Sequence, residues 1–220
     1  MFDMGPVLSL KEVVADDSGW DLSVLVVCQE KPGPLRLSGA GNVTANAEEL
    51  WRVGKQAAWR YLFAVNLSEH ESAVTYAIGD QSFEVALPAR GHPPRIAYAS
   101  CNGFSSLKAM KGVDDKNALW KKMAAQHAAK PFNLLMLGGD QVYADSMWDV
   151  LPDMKRWAEL DFKAGNKAKA TASMKEKLTR FYFELYTSRW AQAEMDYVWS
   201  AAYLAVAVSF MMAVIVLISA

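Results

Sequence analysis

FNLLMLGGDQVYAD, residues 132–145, is the stretch on which the interpretation of the whole sequence depends. It opens with a run, Phe132 to Leu137, that is apolar except for Asn133 and has the length of one strand. Such a run is typical of a strand that is buried on both faces. Two glycines and Asp140 follow it directly. A buried strand that ends in Gly-Gly-Asp predicts an α/β sheet with polar residues at the carboxyl ends of its strands.

The residues before this stretch complete a strand–helix–strand unit. Arg95 to Ala99 has the character of a short strand, and residues 114–129 have the periodicity of a helix, with Asp114 or Asp115 as its cap. Pro131 marks the break after that helix. A strand, a helix and a second strand within roughly 40 residues predict a βαβ unit, whose two strands are parallel.

Chemically active side chains follow both predicted strands. Cys101 comes just after the first strand and Asp140 just after the second, with Tyr143 three residues further on. If the strands are neighbours, the thiol and the carboxylate share one crevice and repel each other unless a cation lies between them. Cysteine, aspartate and tyrosine together suit ferric iron better than magnesium. Each of the three residues alone also has an ordinary structural explanation, so the hypothesis depends on their conjunction.

The residues ahead of this unit predict a separate all-β region. Asp21 to Cys28 is an apolar, β-branched run, and two short strands flank the turn sequence Gly79-Asp80. These spacings predict a β-sandwich over residues 1–93. We expect Cys28 to be a buried small hydrophobic residue.

The three histidines of the chain are not expected to bind metal. His70 and His92 lie in turn-like sequence and are predicted to be exposed, whereas His127 lies within the predicted helix and is predicted to be structural.

Amphipathic helix is predicted across residues 152–190. Its aromatic stripe is expected to serve as core or subunit contact; the stripe consists of Phe181, Tyr182, Tyr186 and Trp190. Residues 197–220 carry no charge and predict an apolar C-terminal helix, long enough to be a candidate transmembrane anchor. Lysines and arginines precede it, and no secretory leader is evident at the N-terminus, so we expect a cytoplasmic protein that this tail anchors to the membrane.

Composition excludes several functional classes. The chain has 220 residues, of which 52% are hydrophobic and 21% charged, so disorder is not expected. A formal net charge of −1 gives no general attraction to nucleic acid, and no nucleic-acid surface is predicted. Two cysteines are too few for a disulfide framework.

The stretch Tyr98-Ala99-Ser100-Cys101-Asn102, followed by residues 134–145, resembles the alkaline phosphatase D (PhoD-like) branch of the calcineurin-like metallophosphoesterases. The resemblance implies an N-terminal β-sandwich, here residues 1–93, and the first βαβ portion of an αββα catalytic domain, here residues 94–196. It implies that Cys101 and Tyr143 ligate ferric iron (Fe3+), and that Asp140 bridges this iron to a second divalent metal such as Ca2+. The implied reaction is hydrolysis of phosphomonoesters or phosphodiesters, with a metal-bound water as the nucleophile. Asp145 belongs to the matching string and is given a supporting role.

The sequence departs from this family after Asp196. The family continues with an Asp-Asp-His-Asp motif and later histidines, and here the apolar tail of residues 197–220 follows instead. Three explanations remain open: a truncated or frameshifted copy, one part of a split enzyme, or a catalytically inactive, membrane-tethered binding or structural homologue. We favour truncation. An incomplete α/β sheet exposes edges and apolar faces, so self-association is also predicted.

Overall fold

The computed structural model describes residues 2–39, 43–193, 195 and 198, together with the backbone of residues 203–206. Its strands, in chain order, are β1 (Met4–Val13), β2 (Gly19–Cys28), β3 (Leu35–Ser38), β4 (Val43–Ala45), β5 (Glu48–Val53), β6 (Gln56–Asn66), β7 (Ser72–Ile78), β8 (Gln81–Leu87), β9 (Ile96–Ser100), β10 (Leu134–Gly138) and β11 (Tyr203–Val206). Its helices are α1 (Leu107–Lys111), α2 (Ala118–Ala129), α3 (Met147–Val150), α4 (Pro152–Ala158), α5 (Phe162–Lys167) and α6 (Ala172–Trp190).

The strands form a larger and a smaller sheet. Within the described residues, the larger sheet has seven strands in the order β5–β6–β2–β1–β11–β10–β9, and the smaller has four in the order β4–β3–β7–β8. Pairing is antiparallel from β5 to β1 and throughout the smaller sheet, whereas β1, β11, β10 and β9 pair in parallel. The fold therefore combines helices with antiparallel and parallel strand pairing.

Two apolar clusters hold the elements together. The first lies between the two sheets, and its most buried members include Val24 and Tyr61 of the larger sheet and Leu35 and Tyr76 of the smaller one. Each fully buried side chain of this size stabilises the fold by roughly 1.5–3 kcal/mol relative to leaving it exposed.

The second apolar cluster joins helices to the larger sheet. It unites Trp120 of α2 and Phe183 of α6 with Leu135 of β10 and Val7 of β1. Helix α6 also contacts β5, where the rings of Trp51 and Phe183 meet edge to face at a centroid distance of 5.7 Å. The cluster thus fixes α2 and α6 against the parallel strands.

Several sequence predictions are confirmed. The described residues before position 93 contain strands and no helix, and β7 and β8 form a hairpin around Gly79-Asp80. Strands β9 and β10 are adjacent and parallel, with α2 between them in the chain. The predicted domain boundary at residue 93 stays a prediction, while the larger sheet itself contains strands from both sides of it.

The predicted helix boundaries needed correction. Helix α2 begins at Ala118 rather than at residue 114, because Asp115 accepts a hydrogen bond from the Asn117 amide at 3.1 Å and so shapes a preceding turn. The helical stretch of residues 152–190 consists of α4, α5 and α6. The breaks fall where Asp161 and Thr171 cap the starts of α5 and α6.

The predicted apolar C-terminal helix is wrong at Tyr203–Val206, which form strand β11. Backbone pairing explains the difference, since β11 lies between β1 and β10 and pairs in parallel with both. An apolar run of this kind does not by itself distinguish a buried strand from a helix. The rest of the predicted tail, residues 207–220, lies outside the described residues. Among the residues that are described, no helix has the length and apolar character needed to cross a membrane.

Candidate metal centre

The carboxyl ends of β9 and β10 bring two predicted site residues together. The strands pair in register as far as Ser100 opposite Gly138. Beyond them the Cys101 amide donates to the Gly138 carbonyl at 3.1 Å, and the Asn102 amide donates to the Asp140 carbonyl at 2.7 Å. The segments that carry Cys101 and Asp140 therefore remain hydrogen-bonded to each other past the end of the sheet.

The Cys101 thiol lies at the centre of a group of polar atoms. Hydrogen bonds from the Ser100 hydroxyl, the Tyr143 hydroxyl and the Asp140 backbone lower the pKa of Cys101, and they outweigh the opposing effects of burial and of the Asp140 charge. The Sγ of Cys101 and the Oγ of Ser100 are 3.5 Å apart. These contacts favour the thiolate, which is the form that binds metals.

Tyr143 is one of the hydrogen-bond partners of this thiol. The hydrogen bond to Cys101 is the main cause that raises the pKa of Tyr143 to about 12, followed by burial and by the charges of Cys101, Asp140 and Asp145. The opposite shifts of the thiol and the phenol mean that the thiol ionises first while the phenol keeps its proton and donates it. All three predicted ligands, together with Asp145, therefore interact electrostatically at one place.

Two glycines allow this close approach. Gly139 has a φ of +66°, and a Cβ at this position would lie 2.7 Å from both the Cys101 Sγ and the Ser100 Oγ. A Cβ on Gly103 would lie 2.9 Å from the Tyr143 Cδ2. Contacts this short do not occur for real side chains, so both positions require glycine if the thiol and the phenol are to keep their places.

The chemistry of these donors fits a metal ion. Cys101 and Asp140 are exposed and Tyr143 is half-buried, so the group is open to solvent. A thiolate and a carboxylate at one place carry negative charge, which a cation would neutralise, and the Tyr143 phenol beside them could give up its proton to such a cation. Among the described residues, however, no group of three or more His, Cys, Asp or Glu side chains is placed to hold a metal. The described part of the chain therefore offers a three-donor, partial coordination set.

A buried hydrogen-bond cluster lies directly behind Cys101. Asn102 is only 2% exposed, and its Oδ1 accepts from the Trp120 Nε1 at 3.1 Å and from the Arg189 Nε and Nη2 at 3.0 and 2.6 Å. Burial lowers the pKa of the Arg189 guanidinium. Helices α2 and α6 thus both bind the residue that follows the thiol.

A cleft adjoins this cluster and one of the candidate ligands, Tyr143. It has a volume of 320 Å³, and its lining includes Asn102, Tyr143 and Arg189 together with Lys116 and Asp145. The cleft is large enough for a small phosphoester, and it carries cationic as well as anionic side chains.

The histidines lie where the sequence analysis expects them. His70 and His92 are exposed, in the segments after β6 and β8. His127 is 3% exposed, and its Nδ1 accepts a hydrogen bond from the Phe132 amide at 3.0 Å, which is a structural role. Cys28 is buried, as expected.

Sequence reasoning missed Asn102, Trp120 and Arg189. Asn102 is separated from its partners by 18 and 87 residues. No local spacing or periodicity marks such a contact. The one available signal is the position of Asn102 next to Cys101 at the end of a predicted strand.

A parallel βαβ unit with a thiol, a carboxylate and a phenol beyond its strand ends is the arrangement implied by the sequence's resemblance to metal-dependent phosphatases. Comparison with known families agrees: the model of the PhoD related phosphatase family matches residues 65–208, roughly two thirds of the chain. The chain therefore belongs to this family, and a phosphatase-type function is indicated at the level of the family. The match extends past Asp196 and includes β11.

One relative among curated proteins is the uncharacterized protein YGR266W of Saccharomyces cerevisiae. It is 29% identical to this chain over 133 residues, which cover 58% of the chain and 18% of the yeast protein. The aligned region is thus less than a fifth of the length of that relative.

Proposed function

We propose that this chain provides part of the active site of a metal-dependent phosphoester hydrolase of the alkaline phosphatase D type. In this proposal Cys101 and Tyr143 ligate ferric iron, and Asp140 bridges the iron to a second divalent metal, with Ca2+ as the candidate. The observation that carries the proposal is the contact of the Cys101 thiol with the Tyr143 hydroxyl and the Asp140 backbone.

The chain's own residues have distinct tasks in this scheme. Cys101 is the easier of the two to deprotonate because neighbouring hydrogen bonds lower the pKa of its thiol. The hydrogen bond to Cys101 raises the pKa of Tyr143 to about 12, so Tyr143 would give up its proton only to a bound cation. Asp140 contributes a carboxylate that neutralises positive charge. When bound, the metal pair would supply an activated water and would stabilise the oxygens of an in-line displacement at phosphorus.

The cleft supports a phosphoester as the substrate. Lys116 in its lining attracts a phosphate, while the carboxylates of Asp145 and Asp149 repel one, so Lys116 must lie nearer the phosphoryl group than these carboxylates do. The hydrolysis assay described below therefore uses both a phosphomonoester and a phosphodiester as substrates.

The finer features of the fold belong to the same proposal. The shared core of the two sheets supports a β-sandwich over residues 1–93. The unit β9–α2–β10 supports the first βαβ portion of an αββα metallophosphoesterase domain. We propose a cytoplasmic location for these parts. Membrane anchoring would have to use residues of the apolar tail outside β11, because Tyr203–Val206 pair within the sheet.

An inactive binding homologue is the alternative. The observation that favours it is the partial donor set, since the described residues supply three candidate ligands for a centre that needs more. The further donors would have to come from residues that the structure does not describe or from a second chain, as in a split enzyme.

Metal analysis of the purified chain tests the proposal. The chain is incubated with ferric citrate and CaCl2 and desalted, and its iron content and visible absorption are measured. We expect one iron ion per chain, and a loss of about tenfold or more in iron affinity for Cys101→Ser, Asp140→Asn and Tyr143→Phe. Cys28→Ser is the matched control, because this thiol is buried elsewhere, and it should bind iron as the wild type does.

Hydrolysis assays separate the two candidate functions. The iron-loaded chain is offered p-nitrophenyl phosphate and bis(p-nitrophenyl) phosphate. Hydrolysis that Asp140→Asn abolishes supports the phosphatase, and bound iron without hydrolysis supports the binding homologue. A chain that takes up no iron, or whose iron uptake is unchanged by Cys101→Ser, would contradict the proposed centre.

A further inference from the structure

The segment between β9 and α1 has an anchor that the proposed chemistry does not use. Asn102 follows Cys101 directly, and its side chain is almost fully buried although it is polar. Its Oδ1 accepts three hydrogen bonds, one from Trp120 and two from Arg189. Because three N–H groups donate to this atom, it must be the oxygen rather than the nitrogen of the Asn102 side-chain amide.

Arg189 holds the main chain of Asn102 as well as its side chain. The Arg189 Nε lies 3.1 Å from the Asn102 carbonyl oxygen, in addition to its contact with Oδ1. A guanidinium presents several N–H donors in a fixed plane and can hold two acceptors at once, which the single ammonium of lysine cannot do with the same geometry. The side chain of Asn102 therefore has little freedom to turn while Arg189 is in place.

The backbone of Cys101 is the element that needs this support. Its φ is +63°, a left-handed value that is uncommon for a residue with a side chain. Such conformations persist only where the surroundings fix them. On one side Cys101 is attached to the end of β9, and on the other to Asn102, whose amide also bonds to the Asp140 carbonyl.

We propose that Arg189 is a positioning residue for the candidate metal centre: its guanidinium fixes Asn102 and thereby holds the Cys101 thiol beside Tyr143 and Asp140. This inference rests on the proposed metal-binding function. It assigns a role at the site to helix α6, which carries none of the three predicted ligands. Arg189 contacts the metal in no step of this scheme and acts through Asn102 alone.

Iron binding by Arg189 variants tests the inference. Arg189→Gln removes both the charge and the planar set of N–H donors of the guanidinium, whereas Arg189→Lys keeps the charge alone. Trp120→Phe removes one hydrogen-bond donor to Asn102 and keeps an aromatic ring. The control is Arg180→Gln, the same change at an exposed position of the same helix. For each variant the ferric affinity, the visible absorption of the iron-loaded protein and the thermal unfolding midpoint of the metal-free protein are measured.

We expect iron affinity to fall roughly 10- to 100-fold in Arg189→Gln, the range typical for residues that orient a metal ligand. Arg189→Lys should also bind iron more weakly and show a shifted absorption band, because the lysine ammonium does not reproduce the planar donors of the guanidinium. Trp120→Phe should show a smaller change, and Arg180→Gln none. A purely structural role would lower the unfolding midpoint and leave the affinity and the band of the folded protein unchanged.

The outcomes separate this inference from the proposed function. If the wild-type chain binds iron and folded Arg189→Lys binds it with the same affinity and the same absorption, the inference is overturned and the proposed function stands. If the wild-type chain binds no iron, both are overturned. Should Arg189→Gln fail to fold, Arg189→Lys and Trp120→Phe decide the question.

Discussion

At the scale of single residues, the site depends on how closely side chains approach the Cys101 thiol. Gly139 lies against this sulfur and adopts a left-handed φ, and Tyr143 donates its hydroxyl hydrogen to the same atom. The exposed cysteine thus has a defined set of neighbours even without a metal. Small changes in these neighbours should affect metal binding before they affect the fold as a whole.

Gly139→Ala tests this dependence. The added Cβ would lie 2.7 Å from the sulfur, and alanine is strained at a φ of +66°, so we expect iron binding to be lost and the free energy of unfolding to fall by about 1–3 kcal/mol. Gly165→Ala in α5 is the control. No atom lies within 4 Å of a Cβ at that position, and alanine should stabilise the helix by roughly 0.5–1 kcal/mol. Urea denaturation and iron analysis measure both effects, and equal results for the two variants would refute the close contact.

The candidate ligands could be predicted from the sequence because each directly follows a recognisable strand or lies within a few residues of one. Parallel strands expose their carboxyl ends at the same edge, so the order of the elements along the chain is enough to place Cys101 and Asp140 together. Arg189 could not be placed there. Its contact with Asn102 depends on the path of α6 across the sheet, which is set by tertiary packing.

At the scale of elements, the βαβ unit is held together by contacts at the end of α2. His127 lies in the last turn of this helix, and its Nδ1 accepts from the amide of Phe132, just before β10. The hydrogen bond requires the neutral imidazole. Burial, together with the charge of Arg95, lowers the pKa of His127 below its ordinary value of 6.5.

The stability of this unit should therefore depend on pH. As the pH falls below 6.5, the unfolded chain binds a proton at His127 that the folded chain does not bind, so this contribution to stability is present above pH 6.5 and is lost on acidification. The free energy of unfolding should fall by up to about 1.4 kcal/mol per pH unit from this group. Urea denaturation between pH 7.5 and 5 measures the slope.

Two histidine variants separate this effect from other titrations. His127→Gln should flatten the slope, whereas His92→Gln, at an exposed position, should leave it unchanged. A slope that survives His127→Gln would show that another group causes it.

The elements themselves differed in how far the sequence predicted them. The strands β9 and β10 and their parallel pairing followed from apolar runs and the βαβ spacing. The start of α2 and the division of residues 152–190 into three helices depend on turns and caps made by single side chains such as Asp115 and Thr171. Such side chains can hydrogen-bond to the backbone in several ways, and the sequence does not show which way is adopted.

At the scale of the whole molecule, one sheet connects the β-rich N-terminal region with the parallel strands that carry the candidate site. Strand β11 makes this connection, since it pairs with β1 on one side and β10 on the other. The apolar character of Tyr203–Val206, which predicts a membrane helix when read alone, is equally suited to a central strand. Self-association stays a prediction, which gel filtration over a range of concentrations would check.

Ala205→Pro tests the connection. Proline has no amide hydrogen and is not tolerated in a strand with neighbours on both sides, and Ala205 pairs with Met136 of β10. We expect the free energy of unfolding to fall by roughly 2–4 kcal/mol, from a lost hydrogen bond and an unsatisfied partner. Ala170→Pro, in the exposed segment between α5 and α6, is the control. Equal stabilities of the two variants would argue against β11 as a paired central strand.

Cys101, Asp140 and Tyr143 are proposed to hold one metal ion together, and the iron X-ray absorption spectrum of the iron-loaded chain shows which atoms surround that ion. We expect one sulfur neighbour in the first coordination sphere of the iron in the wild type and in Cys28→Ser, and none in Cys101→Ser. An iron coordinated only by oxygen or nitrogen in the wild type, or a sulfur signal that survives in Cys101→Ser, would contradict it.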